Sequence, residues 1–400
     1  MEGQLIEFSK QLGATPFSIP KALLEEAEQG ISKQKDFPTT RDESWKYTRL
    51  GRVSALSLKA LHFPTLPFPT DELDTIDLIF DHTGWYCSSL PTGITISSSQ
   101  AINPEGWLAC TAKGHVQHLN LLSAQGGICL SIKENSSISK PIRIIHRVAV
   151  PHSALVLHHQ ISLGANAKAQ VELIFEGHAE DSYSNVLVDF FISTGSRLHV
   201  DKIQHIKGAH FSFCTERVFQ DKDSTFALQT ISLFPHFSRN EVEVFSQGEG
   251  THTQLHGAFV GNENNHIDNH TFMHHTAANC TSDENYKGVL SGKATGVFNG
   301  KVKVYKDAQK INAYQSNKNI LLSEAASINA KPELEIYADD VKCSHGSTTG
   351  QLDQKALFFL RARGISETKA RDMLVKGFLS EIIASVESTH IQNALHSVLD

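Results

Sequence analysis

Gly164-Ala-Asn-Ala-Lys-Ala-Gln-Val171 reads as a turn followed by the start of an alternating strand. The same figure returns as Gly195-Ser-Arg-Leu-His-Val200, Asp223-Ser-Thr-Phe-Ala-Leu228 and Gly250-Thr-His-Thr-Gln-Leu255, at intervals of 31, 28 and 27 residues. Gly, Asn and Asp supply the turns, and residues two apart on each strand share a face. Repeats of this length without helical stripes suggest a β-solenoid, in which each coil buries its inner face against the next. A β-sandwich of hairpins would give the same local signals, so periodicity alone leaves both open.

Outward from this stretch, the chain from about Thr75 to Gly350 stays strand-rich. Val171, Leu173 and Phe175 alternate, as do Val302 and Val304 against Lys301 and Lys303. Residues 1–75 read instead as short helices and loops: Pro20 sits where helices start, and Leu23, Leu24, Ala27 and Ile31 form a stripe. Pro64, Pro67 and Pro69 make a stiff passage into the next unit. After Asp353, a plausible N-cap, Leu357, Phe358 and Leu360 fall in a short helix that Gly364 should end. Ser366 can cap a longer helix carrying Ala370, Met373, Leu374, Phe378, Leu379, Ile382, Ile383 and Val386; Ile391, Leu395, Val398 and Leu399 continue in a last one. The expected division is 1–75 helical, 76–350 strand-rich and 351–400 helical.

Four hundred residues can bury a large core in two or three units. A net charge of −7 argues against a nucleic-acid binder. No apolar run approaches the about 18 residues of a membrane span, and Met1-Glu-Gly-Gln-Leu-Ile-Glu7 lacks the basic and apolar regions of a secretory signal. A cytoplasmic location is expected. The six cysteines (Cys87, Cys110, Cys129, Cys214, Cys280 and Cys343) include no Cys-x-x-Cys, so no zinc ribbon or ferredoxin-type site can form locally, and a disulfide framework is not expected. Neither a phosphate-binding G-x-x-x-x-G-K-[ST] nor H-E-x-x-H nor G-x-S-x-G occurs. Any ATP used must be hydrolysed by another chain.

The segment Pro332-Glu-Leu-Glu-Ile-Tyr-Ala-Asp-Asp-Val-Lys-Cys-Ser-His-Gly-Ser-Thr-Thr-Gly-Gln-Leu-Asp353 concentrates the chemistry. Leu334 and Ile336 alternate with Glu333 and Glu335, Asp339-Asp340 marks a turn, and Val341, Cys343 and His345 then share one side of a strand. A thiol beside an imidazole suits a thiophilic metal or sulfur transfer. A lone Cys-x-His in a strand is, however, more often buried filling. Among the 22 histidines, His266, His270 and His274 are four apart and could coordinate a metal. Their polar neighbours favour a solvated face instead.

Leu334-Glu-Ile-Tyr-Ala-Asp-Asp-Val-Lys-Cys-Ser-His-Gly346 closely resembles the signature of the SufB/SufD family of iron–sulfur cluster assembly scaffolds. The resemblance takes in Phe298-Asn-Gly300, Ala308-Gln309, Tyr314-Gln315, Leu321-Leu-Ser323 and Leu357-Phe-Phe-Leu-Arg-Ala-Arg-Gly-Ile365, roughly Asp268 to Glu381. Glu43-Ser-Trp-Lys-Tyr-Thr-Arg-Leu50 is similar to an N-terminal element of the SufD type. On its residues alone, that element is a Trp and a Tyr pinning a loop to a core. The resemblance implies a right-handed parallel β-helix between helical end domains, and a non-catalytic scaffold subunit. It implies pairing with a SufB-type paralogue through the β-helix and docking of a SufC-type ATPase on the C-terminal helices. His345 is then a ligand for transient iron or a nascent cluster, Cys343 an assisting neighbour and His275 a weaker candidate. A reduced flavin accompanies complexes of this kind, though no motif here supports or excludes one. A homodimer could stand in for the heterodimer when the chain is isolated. Two readings compete: a secreted-type β-helix enzyme acting on polysaccharide, and a purely structural solenoid without a ligand.

Overall fold

The computed structural model describes residues 3–14, 21–66, 74–97 and 114–399; Pro20, Pro67, Pro69 and Cys110 lie outside them, as do the side chains of Leu23, Val398 and Leu399. The chain begins with helices α1 (Gln4–Leu12) and α2 (Lys21–Lys33), a 3-10 turn at Glu43–Trp45 and helix α3 (Gly51–Ser54). Seven strands follow: β1 (Lys59–Ala60), β2 (Thr65–Leu66), β3 (Ile76–Asp81), β4 (Gly84–Cys87), β5 (Ile94–Ser97), β6 (Cys129–Ile132) and β7 (Ile142–Val148). Helix α4 (His115–Ser123) lies between β5 and β6.

Fourteen longer strands then alternate strictly between two faces. One face carries β8 (Ser153–Leu163), β10 (Ser182–Ile192), β12 (His210–Gln220), β14 (Phe237–Ser246), β16 (His266–His275), β18 (Thr295–Val304) and β20 (Ser327–Ile336). The other carries β9 (Lys168–His178), β11 (Arg197–Lys207), β13 (Thr225–Leu233), β15 (His252–Gly261), β17 (Thr281–Leu290), β19 (Ile311–Leu321) and β21 (Val341–Gly350). Each strand pairs in parallel with the strand two ahead, so the chain climbs one coil per pair; the result is a mainly β solenoid of about 8 turns with helices at both ends. The solenoid expectation holds, and the hairpin sandwich is excluded. Among the described residues antiparallel pairing is confined to the first coils, in the β3–β4 hairpin and the β5–β6 pair.

The repeat that opened the sequence is one corner of this coil. Asn166, Gly195, Asp223, Gly250, Asn279 and Lys310 all sit there with φ between 55° and 72°. Achiral Gly accepts that conformation freely and Asn and Asp tolerate it, whereas other residues rarely do. Each donates its N–H to the next coil: Asn166 to Thr194 O (2.9 Å), Gly195 to Lys222 O (2.9 Å), Asp223 to Glu249 O (2.8 Å), Asn279 to Gln309 O (2.9 Å). Satisfying these turn amides between coils keeps the corner in register.

Inside, the first coils are apolar: Ile142, Ile144, Leu155, Leu157, Val171, Leu173, Phe175, Val186, Val188 and Phe190 are fully buried. Each such side chain contributes about 1.5–3 kcal/mol on burial. Toward the C-terminal coils the interior turns polar, with Lys202, Gln204, Glu216, Asn240, Asn269, Glu284, Gln315 and Asn317 all buried.

The C-terminal helices α5 (Gln354–Arg361), α6 (Glu367–Ser385) and α7 (Thr389–Leu399) form as expected. Asp353 caps α5 by accepting from Lys355 N (2.8 Å) and Ala356 N (3.3 Å), Gly364 turns the chain at φ +81°, and Ser366 caps α6. Leu379, Ile382, Val386, Ile391 and Leu395 pack on Ile145, Ile174, Ile203, Ile231, Ala258 and Val289 of the β7–β17 part of the second face. Helix α4 was not anticipated. It is buried nearly all round, so its sequence His-Val-Gln-His-Leu-Asn-Leu-Leu-Ser shows no stripe. Its Asn120 donates to Leu157 O and Asn185 O, both at 2.9 Å, fixing it to the outer side of β8 and β10.

Candidate site at the open end of the solenoid

β20 and β21 are the last strands of their sheets, each hydrogen-bonded on one side only, to β18 and β19. Every earlier coil is covered by its successor. This one leaves two strand edges and an inner rim facing outward, the arrangement that invites another strand. Tyr314, Ile336 and Tyr337, at and beside this end, are 50%, 41% and 59% exposed.

Cys343 and His345 point to the same side of β21, and register identifies it as the inner side. Cys343 pairs with buried Ala313, and His345 with buried Gln315. Cys343 is half-buried and packs with Leu334 and Val341 against the core, whereas His345 is exposed. Burial raises the Cys343 thiol, with an Ala313 backbone hydrogen bond partly offsetting it. Cys343 is therefore held toward its protonated form, a weak nucleophile. The sequence pattern thus separates into a packed thiol and a free imidazole.

Beneath His345 lies a polar layer. Glu284 Oε2 accepts from Thr271 Oγ1 (2.7 Å) and from Gln315 Nε2 (3.1 Å). Burial pushes the Glu284 carboxyl up to about 7, and the hydrogen bonds from Thr271 and Gln315 pull the other way. Gly300 makes room, since a Cβ there would stand 2.2 Å from Gln315 Nε2. Two pieces of the recognised pattern, Phe298-Asn-Gly300 and Tyr314-Gln315, are therefore one packing unit. Glu284 was missed from sequence. Its signal was a charged residue on the inward register of Ser282, Glu284 and Tyr286.

His275 lies elsewhere. It is fully buried on the inner side of β16, hydrogen-bonded to Ser282 Oγ (2.9 Å), and burial pushes its imidazole down to about 4. Ser282, Ala313 and Cys343 stack in register, so the Ala313 layer stands between His275's partner and Cys343. The structure does not bring His275 beside His345.

The row His266, His270 and His274 shares the outer side of β16, but it is not a solvated face. His266 bonds Thr48 Oγ1 (2.9 Å), His270 reaches Asp268 (2.9 Å) and buried His274 reaches Glu243 (2.9 Å). The N-terminal element covers the His266 end of this row: Thr48 also bonds Asp268, Arg239 bonds Asp268 and Ser44 O, and its guanidinium lies 3.8 Å over the Trp45 ring. His274 is covered instead by Phe245, Phe272 and Tyr305. Trp45 pins the segment as expected, whereas Tyr47 is 38% exposed and does not. Among the described residues no three His, Cys, Asp or Glu side chains converge to hold a metal ion. Among the described residues Cys87, Cys129, Cys214, Cys280 and Cys343 form no disulfide.

The chain is thus a parallel β-solenoid flanked by helices, whose last coil presents a Cys-x-His strand along an open edge. The family model described as SUF system FeS cluster assembly, SufBD core domain, matches residues 146–378, from β7 into α6. The chain belongs to this SufBD family and is most like SufD. It is 28% identical over 361 residues to the iron–sulfur cluster assembly protein SufD of Escherichia coli, covering 86% of this chain and 84% of that one. A SufBD family protein of Synechocystis is 26% identical over 390 residues (90% and 86% covered), and one of Mycobacterium leprae 25% over 293 (70% and 72%). The chain's role accordingly lies in iron–sulfur cluster assembly, and the polysaccharide reading falls away.

Proposed function

We propose that this chain is a scaffold subunit that presents His345 to iron or a nascent cluster at the open end of its solenoid. The observation that carries this is the terminal strand β21, which has one free edge and holds His345 exposed on its inner rim. Iron and the cluster are cargo here. A single imidazole cannot hold either alone, so the remaining ligands come from a chain that docks on the same edges. A SufB-type paralogue built on the same coil fits this end, and the exposed Tyr314, Ile336 and Tyr337 supply apolar contact for it. A second copy of this chain would meet the same edges, which accounts for a homodimer when the partner is missing.

The helical end offers a second surface. Most of the α6 stripe is spent on the solenoid, but Phe358 and Phe359 of α5 are 75% and 54% exposed, with Met373 of α6 at 44%. This is the patch we assign to a SufC-type ATPase, which supplies the ATP hydrolysis for which this chain has no phosphate loop. Native mass spectrometry of the chain co-expressed with both partner types tests the assembly. A complex containing all three is expected, and a chain that remains monomeric beside them would overturn the reading.

A further inference from the structure

A histidine that binds metal through one nitrogen needs the other held by an acceptor, which fixes both tautomer and ring orientation. In the described part of this chain the register places one buried amide next to His345: Gln315, its direct partner across β19 and β21, on the same side. The two ends of that amide differ. Its Nε2 is held by Glu284 Oε2 at 3.1 Å, while its Oε1 is buried with no hydrogen-bond partner. Glu284 is held in turn by the Thr271 hydroxyl, so an acceptor faces the Gln315 NH2 and opposes its reversal. Gly300 leaves the space that the amide fills.

We propose that Gln315 and Glu284 are positioning residues for His345, the Gln315 Oε1 accepting the imidazole N–H that faces away from iron. An orphaned buried acceptor is costly, and a neighbouring N–H removes that cost. Glu284 acts one step back by dictating which end of the amide is presented. Thr271, Glu284, Gln315 and His345 thereby form one line from the interior to the rim. This rests on His345 being a ligand, as proposed above.

The test uses the full chain labelled with 15N-histidine, with long-range 1H–15N spectra reading the tautomer of His345, whose signals are assigned by their loss in His345→Ala. Wild type is expected to show one dominant tautomer. Gln315→Met removes the acceptor, and Gly300→Ala displaces the amide without altering any polar group; both should shift His345 toward the mixture of free imidazole. Gln315→Glu keeps an acceptor oxygen and can share a proton with Glu284, so it should retain the wild-type tautomer. Fe(II) affinity of the chain assembled with its partners should fall by about 10–100-fold in Gln315→Met and Gly300→Ala. Folded Gln315→Met with an unchanged His345 tautomer would overturn the proposal. If His345→Ala itself leaves Fe(II) binding intact, the ligand reading fails. If His345→Ala abolishes binding while Gln315→Met and Gly300→Ala do not weaken it, the ligand reading stands and the positioning role is lost.

Discussion

Individual residues in this interior carry opposite pH signatures. Among the described residues Glu284 has no cationic partner, and burial holds its carboxyl at about 7 against an ordinary 4.5. The unfolded chain releases this proton near 4.5 and the folded chain near 7, so the folded state binds more protons in between. Stability therefore falls as pH rises through that window and stays lower above it, by on the order of 3 kcal/mol. Glu284→Gln is expected to raise unfolding free energy by about 1–3 kcal/mol at pH 8 and to give no gain below pH 4.5; denaturant titrations at the two pH values check this. His275 works in the other direction. Burial takes its imidazole from 6.5 down to about 4, so the unfolded state takes up the proton first and stability is lost as pH falls from about 6.5 toward 4. Cys343 and His345 were legible as a pair on one strand face, because period two is local. That one is packed and the other free was not legible, since it depends on which coil comes last.

Elements show the same division between local and long-range information. The caps Asp353 and Ser366 and the stop at Gly364 act within a few residues of themselves, and the helices they bound were readable. Helix α4 escaped because β8 and β10 on one side and helices α1 and α2 on the other bury nearly all of it and erase its periodicity. The stripe of α6 was read correctly as apolar, but its partner is the solenoid, and only the fold shows that α5 holds the exposed aromatic pair. Removing everything after Gly364 would uncover the outer face of β9–β17 and is expected to cost the fold. Phe358→Ser with Phe359→Ser should instead abolish binding of the SufC-type ATPase in co-purification while leaving the melting temperature unchanged. Leu379→Ala or Ile382→Ala should each destabilise by about 2–5 kcal/mol, measured by denaturant unfolding.

At the scale of the whole molecule, each sheet ends in a short strand at one end, β5 or β2, and in a ten-residue strand at the other, β20 or β21. The first coils carry antiparallel pairs and end in strands of two to four residues, whereas the long edges of β20 and β21 stay open where Cys343 and His345 sit. Charges on the inward register of that edge should block strand addition without disturbing coils already closed. Ser347→Lys with Thr349→Lys is thus expected to abolish association with the SufB-type paralogue, seen by size-exclusion chromatography with light scattering, in a chain that still folds. The repeat was legible because glycine, asparagine and aspartate mark the left-handed corners up to Asn279, with Lys310 the exception. The open end was not, because a last coil carries the same local pattern as any other. What the open end is for turns on His345. A ligand replaced by alanine spares a scaffold that folds without its cargo, while a core histidine would cost about 1–3 kcal/mol of stability. The direct measurement is anaerobic reconstitution of the assembled His345→Ala complex with iron and sulfide, reading visible absorption alongside melting temperature. Loss of the cluster absorption at an unchanged melting temperature is predicted; a normal cluster yield would contradict the account.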